Sequence, residues 1–182
     1  MLRHNVRTLI VWMLVGCGLV AAQTKRALLI GIDEYARAGE PNHPPTGIEK
    51  PKGLESEVSR WDLPTWPPLE GAVNDVHTMK ELLASAKFGF SRDEPYTKVL
   101  TNRQATRQAI LDAMRKYLVD DPAKGDIVVF YYAGHGSLRF NSQSTKPGQL
   151  DEAIVPIDAN GGGFDVRDKE IARILNKAVS SG

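Results

Sequence analysis

The apolar residues of this chain are arranged in two ways, as continuous runs and as repeats at helical spacing. Arg26 to Ile32 and Ile127 to Tyr132 are continuous apolar runs, as expected of strands that are covered on both faces of a sheet. Thr97 to Leu100 and Ala153 to Ile157 are shorter runs, which also predict strands. Gly31 and Asp33 interrupt the first run and predict its end.

Between these runs the apolar residues repeat at helical spacing. We predict a helix from about Ala72 to Ser85, a second that Thr106 caps and that ends at Asp120 to Pro122, and a third that begins at Asp168. Their apolar stripes are Val73, Val76, Met79, Leu82 and Leu83 in the first, Ile110, Leu111, Met114 and Leu118 in the second, and Ile171, Ile174, Leu175 and Val179 in the third. Strands that alternate with helices predict an α/β fold with a parallel sheet and right-handed crossovers.

Residues 36–68 break this pattern. Seven of the 11 prolines fall in this segment, together with Trp61 and Trp66, so we interpret it as a long irregular insertion. Loops of this length are usually functional or disordered. Two interpretations stay open: a partly ordered flap beside the functional edge of the sheet, or a mobile surface loop.

The amino-terminal residues 1–22 predict an export signal. Arg3 and Arg7 form a basic front, Leu9 to Val20 an apolar middle, and Val20 to Ala22 a cleavage site with small residues. The apolar run is too short for a typical membrane span. Leu14 to Cys17 offers an alternative, since it resembles a bacterial lipoprotein box in which Cys17 would carry a lipid. An uncleaved amino-terminal helix is a third interpretation.

Composition is consistent with one exported domain over residues 23–182. The chain is 42% hydrophobic and 25% charged, which is ordinary for a globular protein. The formal net charge is +1 and no basic patch stands out, so nucleic acid is not a predicted partner. We expect a periplasmic or extracellular location, with membrane contact only through the leader or a lipid on Cys17.

His135 is the main candidate for chemistry, because it follows a predicted buried strand directly and lies between Gly134 and Gly136. Residues just past the carboxyl ends of such strands face a ligand crevice. Neither glycine has a Cβ, so a substrate could approach His135 closely and the Gly136 N–H could face a developing oxyanion. A strand that ends in a glycine turn with an incidental histidine is the alternative.

Four sequence blocks resemble the caspase-like cysteine peptidases, of the bacterial metacaspase type. They are Lys25 to Tyr35, Leu69 to Val76, Tyr132 to Ser137 and Asp151 to Asp158, in the same order as in that family. The resemblance implies a caspase-like parallel sheet sandwiched by helices and a cysteine endopeptidase that acts on peptide or protein substrates. It gives His135 the acid–base role and Gly136 a role at the oxyanion.

The family's nucleophilic cysteine follows the next core strand, in an Asp-Ser-Cys-His-Ser-Gly-like segment that these 182 residues do not contain. Cys17 is the only cysteine. We therefore expect a fold that is incomplete at its C-terminal side and a chain that is inactive by itself. An inactive homologue that binds peptides is the alternative. Ser137 is a poor substitute nucleophile, since two residues along an extended chain it points the same way as His135 without facing it.

Asp75 is the candidate for substrate binding. Its place in the first turn of a predicted helix suits a carboxylate that interacts with the helix dipole. The resemblance implies instead that Asp75 helps to form an acidic pocket for an Arg or Lys side chain of the substrate. A second pocket carboxylate belongs to the segment that these residues lack, and a frequent pocket serine is replaced by Ala133.

Asp151 and Asp168 match positions that bind activating calcium in some metacaspases. Lys169 stands where a further acidic residue is frequent, and its charge would repel the ion. The alternatives are a helix cap for Asp168 and a loop charge for Asp151. We expect no cofactor, with calcium as the one weak candidate.

Overall fold

The computed structural model describes residues 23–35, 66–140, 150–159 and 165–181. A parallel sheet forms its centre, with β1 (Lys25–Gly31) between β2 (Thr97–Thr101) and β3 (Ile127–Ala133). Gly31 lies opposite both Thr101 and Ala133. The carboxyl ends of all three strands therefore meet at one edge, as the apolar runs predict.

Helices cover both faces of this sheet. They are α1 (Ala72–Ala84), α2 (Arg107–Arg115), which a π-helical turn over Lys116–Asp120 extends, and α3 (Asp168–Ser181). Ala27 and Leu29 of β1 pack in one hydrophobic cluster with α1, whereas Leu28 and Ile30 pack in a second cluster with α2. The sandwich of a parallel sheet between helices is thus confirmed.

A second, antiparallel sheet was not predicted. It has the order β4 (Gly136–Phe140), β5 (Leu150–Ile154) and β6 (Val166–Arg167). The predicted strand over Ala153 to Ile157 is wrong at both ends, because the strand spans Leu150–Ile154 and the Ile157 N–H already donates to the Ala105 carbonyl (3.0 Å). These short strands lack a continuous apolar run, since only one face is buried and Leu138 and Leu150 are exposed.

Asp33 and Gly31 attach α1 to the end of β1. The residue before α1 is Gly71, which has no side chain to cap the helix. The Asp33 carboxylate accepts hydrogen bonds from the N–H groups of Ala72 (2.8 Å) and Val73 (3.1 Å) instead. The first turn of α1 therefore lies at the carboxyl edge of the sheet, where its free N–H groups are satisfied by a residue that is distant in sequence.

Several predictions from sequence lie outside the described residues. These are the export signal over residues 1–22, most of the insertion over 36–68, the loop from Asn141 to Gln149 and the turn at Gly161 to Gly163. In the described ranges, no helix is both long enough and apolar enough to cross a membrane.

We expect Gly31→Ala to destabilise the fold. A Cβ at this position would lie 2.7 Å from the Ala72 carbonyl oxygen and 2.8 Å from Val76 Cγ2, so α1 would have to move away from β1. Such overpacking costs about 1–3 kcal/mol, measurable as a lower urea midpoint with an unchanged slope. Gly136→Ala is the control, because its Cβ would meet only the Ala153 oxygen, at 3.6 Å. Equal midpoints for the two variants would contradict this account.

Candidate active site

His135 lies in the short connection where the chain passes from the parallel sheet to the antiparallel sheet. Its imidazole ring contacts two aromatic rings, Tyr35 at a centroid distance of 4.7 Å and Trp66 at 5.2 Å. Its Nε2 atom is 2.8 Å from the carbonyl oxygen of Pro67. Trp66 and Pro67 are the described end of the Pro-rich insertion, so that end of the segment lies against His135.

The contact with Pro67 determines the tautomer of the imidazole. A carbonyl oxygen can only accept a hydrogen bond. In the neutral ring Nε2 therefore carries the proton and donates a hydrogen bond to the Pro67 carbonyl. Nδ1 is then the unprotonated nitrogen and keeps a lone pair that can accept a proton. The ring is thereby oriented as a base through one specific atom.

The backbone of Gly136 presents its N–H away from the sheet. The Val155 N–H donates to the His135 carbonyl (3.0 Å), which makes His135 and Val155 a hydrogen-bonded pair of the antiparallel ladder. The next pair, Gly136 with Ile154, is then a non-hydrogen-bonded pair, in which N–H groups point outward. Because β4 is at the edge of this sheet, the Gly136 N–H is directed to its open side.

The two glycines beside His135 have different roles in packing. A Cβ on Gly134 would lie 2.5 Å from the Tyr132 hydroxyl and 2.6 Å from the Tyr35 hydroxyl, so only glycine fits there. Gly136 has no such neighbour and is exposed. Gly134 is therefore required by the interior, whereas Gly136 leaves room on the outer side.

Tyr35 and Tyr132 are neutral hydroxyl groups at physiological pH. Burial raises the pKa of both residues above the usual value for tyrosine, because the phenolate would lose its hydration. Tyr35 is only 4% exposed. Neither side chain is thus suited to exchange protons with a substrate near neutral pH, although both touch the backbone of His135.

Ser137 does not face His135. Its hydroxyl donates to the carboxylate of Asp165 (Oγ to Oδ2 2.6 Å), on the buried side of β4. Asp165 is itself buried, and its charge contributes to the raised pKa of both Tyr35 and Tyr132, after the larger effect of burial. Ser137 has a structural partner in this arrangement.

Asp75 lies in the first turn of α1, with its side chain exposed. Its backbone N–H donates to the Gly71 carbonyl (2.7 Å), which closes the first helical turn. In the part of the chain that the structure describes, its carboxylate forms no salt bridge. Asp33 holds the start of α1 at the carboxyl edge of the parallel sheet, and His135 follows β3 at that edge, so both candidates lie on the same edge of the fold.

The residues proposed for calcium do not fit that ion. Asp151 is buried, and its carboxylate pairs with Lys169 (Oδ1 to Nζ 2.8 Å) and with Arg167 (Oδ2 to Nη1 3.7 Å). Asp168 is exposed and accepts a hydrogen bond from the Lys169 N–H (2.6 Å). Among the described residues, no three acidic, histidine or cysteine side chains cluster as metal ligands. The Lys169 ammonium thus lies beside the Asp151 carboxylate, where a bound cation would have to lie.

Sequence patterns did not identify all residues around the imidazole. Tyr35 and Tyr132 belong to the blocks that carry the family resemblance, but nothing in their spacing indicates that the hydroxyls meet. The signal that was available is the parallel arrangement, because residues that follow two adjacent parallel strands emerge side by side. The role of the Pro67 carbonyl had no signal in sequence, since it is a backbone group.

Comparisons with known proteins identify the family of this chain. The family described as "Metacaspase, peptidase C14 domain" matches residues 25–182. Metacaspase-1 of Schizosaccharomyces pombe is 34% identical over 66% of this chain and 28% of its own length. Metacaspase-9 of Arabidopsis thaliana is 39% identical over 62% of this chain and 35% of its own length. The chain therefore spans about a third of the length of these curated relatives.

A solved structure supports the fold. The crystal structure of protein GSU0716 from Geobacter sulfurreducens superposes with a TM-score of 0.56 over 85% of this chain and 45% of that protein. The two sequences are 22% identical, so the likeness concerns the fold alone.

Proposed function

Because this chain belongs to the metacaspase family, we propose that it forms the histidine-bearing part of a caspase-like cysteine endopeptidase. The observation that carries the proposal is the geometry of His135. Its imidazole lies at the carboxyl edge of the parallel sheet, and the Pro67 carbonyl holds the proton on Nε2 (2.8 Å), which leaves Nδ1 as the base.

The proposed chemistry uses two groups of this chain. Nδ1 of His135 takes the proton of a cysteine thiol, and the thiolate attacks the carbonyl carbon of the scissile peptide bond. The Gly136 N–H, which points away from β5, donates to the oxyanion that forms. The imidazolium then protonates the leaving amine, and water hydrolyses the thioester with His135 as base again.

The thiol is not supplied by the residues around His135. The only cysteine in the 182 residues is Cys17, in the predicted export signal. We propose that the nucleophile comes from a segment beyond Gly182, carried at the end of a further core strand. Export to the periplasm or beyond, by the leader or with a lipid on Cys17, is part of the same proposal.

We propose basic specificity, based on Asp75. Its exposed carboxylate stands on the first turn of α1, at the same edge of the fold as Pro67 and His135. A carboxylate in that position would bind an Arg or Lys side chain of a substrate by a charge-assisted hydrogen bond.

The first prediction concerns the nucleophile. We expect the 182-residue chain to release no product from Arg- or Lys-containing reporter peptides, whereas a chain extended by the following coding sequence does so. That sequence should encode a strand followed by a cysteine beside Ser, His or Gly. Turnover by the 182-residue chain that His135→Ala abolishes would reveal another nucleophile. A stop codon directly after Gly182 would favour a peptide-binding homologue.

The second prediction concerns Asp75 in the extended, active enzyme. Asp75→Asn should lower kcat/KM for Arg and Lys peptides by about 10- to 100-fold, because a desolvated charge-assisted contact is worth about 1.5–3 kcal/mol. Glu70→Gln is the matched control, since Glu70 is an exposed acidic residue just before the same helix. An unchanged preference for basic residues in Asp75→Asn would mean that this carboxylate only interacts with the helix end.

The third prediction concerns calcium. We expect isothermal titration of the chain to show no tight calcium binding, because the Lys169 ammonium is already paired with Asp151 (2.8 Å). Lys169→Asp should create calcium binding by joining a third carboxylate to Asp151 and Asp168, whereas Lys169→Met should not. Tight binding by the unmodified chain that is lost in Asp168→Ala would contradict this prediction.

A further inference from the structure

The hydroxyl groups of Tyr35 and Tyr132 form hydrogen bonds with the backbone of His135. The Tyr35 hydroxyl accepts a hydrogen bond from the His135 N–H (2.9 Å), and the Tyr132 hydroxyl donates to the His135 carbonyl (2.9 Å). The two hydroxyl oxygens are 3.1 Å apart, and both lie within hydrogen-bond distance of the Val155 carbonyl, at 3.0 and 2.9 Å. Both backbone polar groups of His135 are therefore bound by side chains, one from the segment after β1 and one from β3 itself.

We propose that Tyr35 and Tyr132 are positioning residues for His135, with Tyr35 as the essential member of the pair. This inference rests on the proposed acid–base role of His135. Both hydroxyls act through the backbone on which the imidazole is mounted, and the ring of Tyr35 also contacts the imidazole (centroid distance 4.7 Å).

Tyr35 is inserted into the antiparallel ladder. His135 and Val155 form a hydrogen-bonded pair, in which the His135 N–H would ordinarily donate to the Val155 carbonyl. The Tyr35 hydroxyl instead stands between them, accepting from the His135 N–H (2.9 Å) and donating to Val155 (3.0 Å). The ladder is thus opened by one hydroxyl at the residue that carries the imidazole.

The two tyrosine hydroxyls differ in the hydrogen bonds that would be lost without them. When Tyr35 donates to Val155, Tyr132 is free to donate to the His135 carbonyl. That carbonyl also accepts from the Val155 N–H (3.0 Å), so it keeps a donor if the Tyr132 hydroxyl is removed. The His135 N–H has only the Tyr35 hydroxyl as its acceptor among the described residues. Loss of the Tyr35 hydroxyl therefore leaves a polar group unsatisfied, and loss of the Tyr132 hydroxyl does not.

Gly134 gives independent evidence for the hydroxyl pair. A Cβ at Gly134 would lie 2.5 and 2.6 Å from the two hydroxyl oxygens, so the backbone passes as close to them as a chain without a side chain permits. The glycine before the histidine is accordingly explained by the tyrosine pair, and not by access of a substrate.

The test compares amide hydrogen exchange and imidazole nitrogen shifts in the 182-residue chain. Tyr35→Phe should speed exchange of the His135 amide by about tenfold relative to the Leu28 amide of the core strand, because the partly buried N–H loses its acceptor. It should also shift the imidazole away from the single tautomer with the proton on Nε2. Tyr132→Phe should speed the same amide by less than Tyr35→Phe does.

Tyr131→Phe is the matched control. Tyr131 is the neighbour of Tyr132 in β3, packs in the cluster on the other face of the sheet, and has no hydrogen bond from its hydroxyl among the described residues. Equal exchange of His135 in Tyr35→Phe and Tyr131→Phe would overturn the proposal. So would an acceleration of the Leu28 amide by the same factor as the His135 amide, which would indicate a general loss of stability.

A second pair of variants keeps the test decisive if Tyr35→Phe does not fold. Gly134→Ala should spread the intact hydroxyls and reproduce the fast His135 exchange, whereas Gly136→Ala, with only a 3.6 Å contact, should not. None of these measurements depends on peptide hydrolysis. A failure of the peptidase proposal would leave these exchange rates as expected, and a failure of the tyrosine proposal would leave any peptidase activity in place.

Discussion

The parallel pairing of β1 with β3 is the interaction on which the candidate site depends. The register places Gly31 opposite Ala133, so the segments that follow the two strands leave the sheet side by side. The Ile32 N–H donates to the Ala133 carbonyl (3.0 Å), which continues the contact one step past the strands. Tyr35 and His135 then lie within one hydrogen bond of each other, although 100 positions separate them in sequence.

The same edge also fixes the turn after β1. Asn102, which follows β2, accepts hydrogen bonds through its side-chain oxygen from the N–H groups of Asp33 (2.8 Å) and Glu34 (3.2 Å). The Asp33 carboxylate in turn holds the first N–H groups of α1. All three strand ends therefore cooperate to place one helix start and one tyrosine. The N–H groups of Asp33, Glu34, Ala72 and Val73 thus all have side-chain acceptors, which stabilises this edge.

The imidazole of His135 has little freedom left. The tyrosine hydroxyls hold its backbone, Tyr35 and Trp66 contact its ring, and Pro67 holds Nε2. Nδ1 is the nitrogen that this contact leaves without the proton, and the neighbouring Gly136 N–H is directed away from β5. Preorganisation of this kind lowers the entropic cost of reaching a reactive geometry, as the proposed acid–base role of His135 requires.

The strand β5, which leads to Val155, carries a buried carboxylate that is neutralised by ion pairs. The Asp151 carboxylate is buried and lies against two cations of this chain, Lys169 and Arg167. An unpaired buried carboxylate would be costly, so the pairs connect β5 to β6 and to the start of α3. Val155, which binds His135, follows β5 directly. The chain thus neutralises the Asp151 carboxylate with its own side chains.

Local pattern was enough to predict the central elements of this protein. The apolar runs predicted β1 and β3, the helical stripes predicted α1 and α3, and Thr106 was correctly placed as the cap of α2, accepting from the Ala109 N–H (3.2 Å). Four ordered blocks predicted the family, because they combine many residue identities at once. The short strands β4 and β6 were not predicted, because they are stabilised by pairing with β5 and not by their own apolar content.

The surroundings of His135 were decided only by tertiary structure. The glycine–histidine–glycine motif marks the residue, but the tautomer depends on the Pro67 carbonyl, and the backbone position depends on hydroxyls from Tyr35 and Tyr132. The contacts of Tyr35 and Pro67 join segments that are far apart in the chain, and the sheet brings these segments together. A one-dimensional pattern carries no information on which hydroxyl reaches which backbone group, because that depends on how the sheet brings the strand ends together.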